Sequence, residues 1–177
     1  MTQDALLTRD VMLRPGEFAV GGADSQIRTL LGSCVSITLW NPLLRVGAMS
    51  HFLLAERPSA DTSAEVRPDA RYGRDALHLM LEHLARVRVT ASQCEAKIFG
   101  GGNMFPDHTP PGAISVGRRN GEAARQLLLD RGIPVVSESL FGNGHRQIIF
   151  RPASGDVWVR QVQPGSSDFS PLTGDLR

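Results

Sequence analysis

The pattern of hydrophobic and polar positions predicts short strands in the first third of the chain. Short, largely apolar runs occupy positions 18–20 and 27–31, and the polar segment GGADS lies between them. A β-branched and apolar run at 35–40 ends at Asn-Pro, the signature of a type I turn. The apolar run at 45–54 follows directly. These two runs are therefore predicted to pair as a β-hairpin.

Helical periodicity appears twice further along the chain. Within 71–88, apolar residues recur at positions i, i+3, i+4 and i+7, which is typical of one buried helix face. A second helix is predicted over 121–130, with Asn120 as its N-cap and Gly132 just past its end. The polar, proline-bearing segment 55–70 before the first helix is predicted to be a long surface loop.

These elements predict an α/β fold of the α+β type. Together with apolar runs nearer the C-terminus, they amount to about eight strands and two helices. We expect mixed, largely antiparallel sheet layers with two main helices packed on one side. Residues 1–162 are expected to form a single domain, and the Gly/Ser/Pro-rich residues 163–177 a flexible C-terminal tail.

Composition and charge exclude several classes of protein. Nineteen basic and eighteen acidic residues leave a net charge of +1, so nucleic acid is not an expected partner. No run approaches the roughly 20 apolar residues that a membrane helix needs, so membrane insertion is not expected. The chain has two cysteines and no apolar segment of the signal-peptide kind near its N-terminus. We therefore expect a cytoplasmic protein with reduced thiols.

Cys34 stands at the head of the predicted hairpin, directly after Gly-Ser. If residues 41–44 form the hairpin loop, Cys34 faces His51 across the two strands, with Cβ atoms about 4.5–5.5 Å apart. A thiol and an imidazole at this distance can exchange a proton, and the imidazole is expected to lower the thiol pKa from about 8.5. Free cysteines are also often inert core residues, so Cys34 is either a nucleophile or a small packed hydrophobe. Cys94 has no such partner and is expected to be structural.

Four sequence blocks occur one after another along the chain: LLGSCVSITLWNP, VGAMSHFLL, KIFGGGNMF and VGRRN. In this order they resemble the chemoreceptor glutamine deamidase family (CheD). The resemblance implies a cysteine-hydrolase-like fold in which Cys34 matches the family nucleophile and His51 its histidine. It implies no cofactor, and the sequence contains no zinc-binding motif.

The resemblance also implies a third catalytic residue, a threonine shortly before the cysteine. In some family members it lies six residues upstream, where this chain has Arg28; Thr29 lies five upstream. On a regular strand this odd spacing would point Thr29 away from the face of Cys34, unless a bulge restores it. Thr29 is the candidate to orient His51, and Ser33 or a backbone carbonyl is the alternative.

Glycines near the cysteine and in GGGNMF are the candidates for substrate binding. No Gly-Lys-Ser/Thr follows GGGNMF, so a phosphate-binding loop is not expected. The resemblance makes this segment a loop near the active site, although a plain tight turn after a strand explains it equally well. The predicted substrate-binding residues are Gly32, Ser33, Gly101, Gly102 and Asn103.

By resemblance, the chain is expected to convert glutamines of methyl-accepting chemoreceptors to glutamate in bacterial chemotaxis. The implied partners are the cytoplasmic domains of those receptors and a CheC-type phosphatase. The alternative is a non-catalytic adaptor that binds the receptors or the phosphatase. The presence of both Cys34 and His51 favours the enzyme.

Overall fold

The computed structural model describes residues 9–58 and 66–163. Within these residues it has nine strands and two α-helices. The helices are α1 (Gly73–Arg86) and α2 (Val116–Asp130). The strands in chain order are β1 (Arg9–Met12), β2 (Phe18–Gly21), β3 (Ser25–Leu31), β4 (Val35–Asn41), β5 (Val46–Ser50), β6 (Glu95–Gly100), β7 (Val135–Leu140), β8 (His145–Arg151) and β9 (Asp156–Val162).

The strands form two sheets. The first sheet has the order β1-β3-β8-β9 and the second β2-β5-β4-β6-β7. Neighbouring strands are antiparallel except for the pairs β1–β3 and β6–β7. The predicted fold class, mixed and largely antiparallel sheet layers with two main helices, is therefore confirmed.

The two faces of β4 pack against different layers, as the alternation of its side chains requires. Val35, Ile37 and Leu39 point to the helices, where they join apolar side chains of α1 and α2 in the helix-side core. The opposite face points to the first sheet, where Met49 of the neighbouring strand packs with Ile148 and other residues in the inter-sheet core. Cys34 borders this second core.

The hairpin between β4 and β5 forms, but the predicted register is wrong by two residues. Trp40 pairs with Gly47, and Asn41 pairs with Val46, so the loop is 42–45 rather than 41–44. Asn41 stays in the strand because its side chain accepts a hydrogen bond from Leu44 N and donates one to Gln93 O. An even shift leaves each side chain on its predicted face, so Cys34 and His51 still share one face.

The second helix begins five residues before its predicted start. Its N-cap is Ser115, whose hydroxyl accepts a hydrogen bond from Arg118 N at 3.2 Å. The prediction of Asn120 as N-cap is therefore wrong, because this residue lies inside the helix and is buried. Gly117 lowers the helix propensity of this segment, so the sequence pattern did not indicate a helix there. Close packing requires a glycine at this position, because a Cβ would lie 2.6 Å from the Gly102 carbonyl oxygen.

Part of the sequence interpretation falls outside the described residues. This holds for 59–65 within the predicted surface loop, and for 164–177 of the predicted C-terminal tail. No helix among the described residues is long and apolar enough to cross a membrane.

Candidate active site

The candidate site lies where the chain passes from the first sheet into the second. Thr29 stands on β3 with its side chain turned inward, and β3 ends at Leu31. A short turn, residues 32–34, then carries the chain to β4 in the other sheet. We call residues 32–34 the cysteine turn. Because Thr29 and Cys34 do not share a strand, the odd spacing between them has no bearing on their orientation, and no bulge is needed.

His51 directly follows β5, and backbone hydrogen bonds of His51 and of the next residue, Phe52, hold it in place. Its N–H donates to Glu17 O at 2.9 Å, and its carbonyl accepts from Gly16 N at 2.7 Å. The next residue, Phe52, exchanges two hydrogen bonds with Val35, the residue after Cys34. Cys34 and His51 are therefore diagonal neighbours on one face rather than directly opposite. The Cα atoms of diagonal neighbours on paired strands lie about 7–8 Å apart, a separation within reach of a ring side chain such as an imidazole.

A hydrogen bond to Thr29 fixes the imidazole of His51. Thr29 Oγ1 lies 2.8 Å from His51 Nδ1 and donates its own hydrogen to Leu13 O at 2.8 Å. A hydroxyl has one hydrogen to give, so Nδ1 must carry a proton and donate to Oγ1. The other ring nitrogen, Nε2, is then unprotonated and is the basic one. The position predicted for Thr29, beside His51, is thus what the structure has.

Burial keeps both members of the pair uncharged. His51 is 3% exposed, and desolvation lowers its pKa from 6.5 to about 4, although the Glu17 carboxylate acts in the opposite direction. Desolvation also raises the pKa of the Cys34 thiol, against a smaller lowering by its own backbone N–H. The net shift of the thiol pKa is therefore upward, opposite to the lowering expected from the sequence, because desolvation is the largest effect on it. At neutral pH the site holds a thiol and a neutral imidazole.

The predicted substrate-binding residues lie together: Gly32 and Ser33 belong to the cysteine turn, and the other three belong to a segment bonded to it. Gly101 N donates to Cys34 O and Gly102 N to Gly32 O, each at 2.9 Å. Asn103 N donates to Gly142 O at 2.8 Å. We call residues 100–103 the glycine loop. The N–H groups of Gly101 and Gly102 hold the cysteine turn in place. Direct contact of the predicted residues with a substrate stays a prediction.

Arg146 supports the glycine loop from the first sheet, and sequence reasoning missed it. Its side chain is 3% exposed and donates to Gly100 O at 3.3 Å, to Ser139 Oγ at 3.1 Å and to Phe141 O. The guanidinium thereby connects β8 to the ends of β6 and β7 in the other sheet. Residue 146 lies on the buried face of β8 with Ile148 and Phe150, and no pattern in the sequence indicated that a cation would occupy that face.

Asn120 is the second residue that sequence reasoning missed. It is 1% exposed, and its side-chain amide donates to Leu53 O at 2.7 Å and to Ser33 O at 3.2 Å. One acceptor lies just before Cys34 and the other two residues after His51. The sequence feature that could have indicated this role is the VGRRN block, because it ends in Asn, a residue with low propensity for a helix interior.

A groove of about 860 Å³ opens beside the cysteine turn. Ser33, Gly102 and Asn103 line its inner end, and Phe105 and Ile114 present exposed apolar surface along it. Contiguous exposed apolar surface of this kind is typical of a binding site for another molecule. Among the described residues, no three His, Cys, Asp or Glu side chains are grouped so that they could hold a metal ion.

A thiol beside an imidazole whose far nitrogen is oriented by a third group is the arrangement typical of cysteine hydrolases. A family model described as CheD chemotactic sensory transduction matches residues 53–161. The chain belongs to the CheD family.

Curated relatives resemble the chain over nearly its whole length. One, "Probable chemoreceptor glutamine deamidase CheD 2" of Albidiferax ferrireducens, is 58% identical over 94% of this chain and 95% of its own. Another, "Probable chemoreceptor glutamine deamidase CheD 3" of Dechloromonas aromatica, is 42% identical over 93% and 95%. Among solved structures, YlmD from Geobacillus stearothermophilus matches with a TM-score of 0.44 and 13% identity, over 77% of this chain and 61% of that protein.

Proposed function

We propose that this protein is a chemoreceptor glutamine deamidase that hydrolyses glutamine side chains of methyl-accepting chemoreceptors to glutamate in the cytoplasm. Membership of the CheD family and the names of the curated relatives support the substrate. The observation that carries the chemistry is the hydrogen bond between Thr29 and His51, because it leaves Nε2 as a base on the face of Cys34.

In the first half of the reaction, His51 Nε2 takes the thiol proton as Cys34 Sγ attacks the amide carbon of the substrate. The new C–S bond pushes the carbonyl electron pair onto oxygen and forms a tetrahedral oxyanion. The imidazolium then gives its proton to the amide nitrogen, the C–N bond breaks, and ammonia leaves. A thioester between Cys34 and the substrate remains.

Water completes the reaction. His51 Nε2 removes a proton from water as the oxygen attacks the thioester carbon, and the C–S bond breaks when the second tetrahedral intermediate collapses. The proton returns to the sulfur, which restores the neutral thiol. The net reaction consumes one water and one glutamine side chain, and it yields one ammonia and one glutamate side chain.

The backbone N–H of Cys34 is the proposed oxyanion donor. It lies close enough to its own thiol to lower the thiol pKa, against the larger effect of burial. Among the backbone hydrogen bonds of turns and loops in the described residues, none has the Cys34 N–H as its donor. A donor held beside the sulfur is well placed for the oxygen of a carbon bonded to that sulfur.

The geometry favours the enzyme over the non-catalytic adaptor. A Thr29 turned away from His51 would have favoured a catalytically weakened adaptor, and the contact of Thr29 with His51 argues against that alternative. Receptor cytoplasmic domains are proposed to approach along the apolar groove beside Ser33. The CheC-type phosphatase stays a prediction from the family resemblance.

The test is ammonia release from a purified chemoreceptor cytoplasmic fragment, with mass spectrometry of each glutamine. The wild-type chain should release ammonia and convert specific glutamines, and Cys34→Ala should do neither while still binding the fragment. Binding without turnover by the wild-type chain would favour the adaptor instead.

A further inference from the structure

We propose that Asn120 is a positioning residue that holds the Ser33–Cys34 peptide so that the Cys34 N–H faces the reacting carbonyl oxygen. This inference rests on the proposed function, because it concerns the oxyanion of that reaction. It assigns a role to a side chain that touches neither the sulfur nor the imidazole.

The contacts of Asn120 define its orientation without ambiguity. Both acceptors, Ser33 O and Leu53 O, are backbone carbonyls, so the side-chain nitrogen must be the atom that faces them. The two hydrogens of this nitrogen are therefore both in use. The residue is almost completely buried, so water cannot replace either bond without a rearrangement.

The packing of α2 places this amide where it can reach the cysteine turn. Gly117 lies so close to the glycine loop that a Cβ would lie 2.6 Å from Gly101 carbonyl carbon. Gly121 is similarly close to Phe141, where a Cβ would lie 2.5 Å from the ring. The two glycines flank Asn120 along the helix and let its short side chain bridge two backbone segments.

The planarity of the peptide bond converts this contact into control of the oxyanion donor. The Ser33 carbonyl and the Cys34 N–H belong to one planar peptide, and in a trans peptide they point in opposite directions. Holding the carbonyl against Asn120 therefore aims the N–H away from α2. A flip of this peptide would break the bond to Asn120 and leave a buried donor without a partner, which is unfavourable.

The second bond of the same amide fixes the other half of the site. Leu53 follows His51 by two residues, so one nitrogen of Asn120 holds both the segment just after the histidine and the cysteine turn. The bond to Ser33 O also polarises the peptide, which makes the Cys34 N–H a stronger donor.

The test compares Asn120→Leu with Leu128→Ala. Asn120→Leu removes both donors and keeps an apolar side chain of similar size in the helix. Leu128→Ala weakens the same helix at its buried far end, away from the site. For each variant we would measure the melting temperature, kcat and KM on the receptor fragment, and the rate of Cys34 alkylation by iodoacetamide, a reaction that forms no oxyanion.

Asn120→Leu is expected to lower kcat by about 10²–10³-fold, the usual cost of losing one oxyanion donor, with KM and the alkylation rate changed much less. Leu128→Ala should lower the melting temperature and leave kcat near the wild-type value. If kcat of folded Asn120→Leu matches that of Leu128→Ala, the residue has only a structural role and the inference is overturned.

A second variant covers the case in which Asn120→Leu does not fold. Asn120→Ser has one hydrogen to donate where Asn120 has two, so at least one of the two backbone contacts is lost and kcat should fall below the wild-type value. An unchanged kcat would overturn the inference. The wild-type chain separates the two proposals. Wild-type turnover with an insensitive Asn120 would refute this inference alone, whereas no wild-type turnover would refute the proposed function and this inference with it.

Discussion

Thr29 and His51 are joined by a 2.8 Å hydrogen bond between Oγ1 and Nδ1, although they belong to different sheets. Thr29 lies on β3 of the first sheet, and His51 follows β5 of the second. The orientation of the imidazole therefore depends on how the two sheets pack together. The bond is buried, so water does not compete for it.

Removing the hydroxyl of Thr29 should impair the orientation of His51 with little change in side-chain shape. We expect Thr29→Val to lower kcat by roughly 10- to 100-fold, the scale of a small misplacement of a reacting group. Thr29→Ser keeps the hydroxyl and should stay close to the wild-type rate. Steady-state kinetics on the receptor fragment would measure this. Equal rates for the Val variant and the wild type would mean that another group, such as Leu13 O, orients the ring.

The neutral state of the Cys34–His51 pair predicts the pH dependence of thiol reactivity. Burial raises the pKa of the Cys34 thiol, so its thiolate fraction should keep increasing across pH 6–9. The rate of alkylation by iodoacetamide should rise throughout this range. Cys94 should not react, because burial raises its pKa to about 11. Cys34→Ala provides the control for the labelled site. A rate that is flat from pH 5 to 8 would instead indicate a thiolate–imidazolium pair.

Acid should destabilise the protein through His51. Burial lowers its pKa from 6.5 to about 4, so between these two values the unfolded chain binds a proton that the folded chain does not. Stability should therefore decrease as the pH falls through this window, by up to about 3 kcal/mol for this group. Urea unfolding at several pH values would measure the effect. Other groups titrate in this range, so the wild type is compared with His51→Gln, which should lack this part of the loss. Parallel curves for the two proteins would contradict the low pKa.

The sequence could predict what local pattern determines. Alternating apolar residues placed Cys34 and His51 on one face of a hairpin, and that parity survived a register error of two residues. The register itself depended on Asn41, whose side chain bonds to Leu44 N and to Gln93 O far along the chain. Local pattern carries no information about the second of these contacts.

Contacts between distant segments account for the rest of what the sequence missed. The spacing of Thr29 seemed wrong only while it was assigned to the strand of Cys34, whereas the chain changes sheets between them. Asn120 looked like a helix cap because Gly117 and Gly121 weaken the helical pattern around it. Both glycines are required by the close approach of other backbone and side-chain atoms, which only the folded chain reveals.

Ser36 offers a test of the inter-sheet core beside the site. Its hydroxyl is the one buried side-chain polar atom without a hydrogen-bond partner among the described residues. Ser36→Ala should therefore raise the free energy of unfolding, by about 1 kcal/mol, because it removes an unpaired buried group. Ser50→Ala is the matched change on the neighbouring strand, where the hydroxyl accepts from Ile37 N at 3.2 Å, and it should be destabilising. If both variants lose stability equally in urea unfolding, the Ser36 hydroxyl has a partner such as a buried water.

Gly100 tests whether the glycine loop positions the cysteine turn. Its φ is +111°, and a Cβ there would lie 2.2 Å from the Cys34 carbonyl oxygen, so Gly100→Ala must displace the turn. Gly132 also has positive φ, at +64°, but nothing lies within 4 Å of its Cβ position. Both substitutions place Ala at a positive φ, but only Gly100→Ala also collides with backbone atoms of the site. We expect Gly100→Ala to lose most of its kcat and more of its melting temperature, and Gly132→Ala to keep its kcat with a smaller loss of melting temperature. Equal kcat values for the two folded variants would show that the position of the Cys34 carbonyl does not control the reaction.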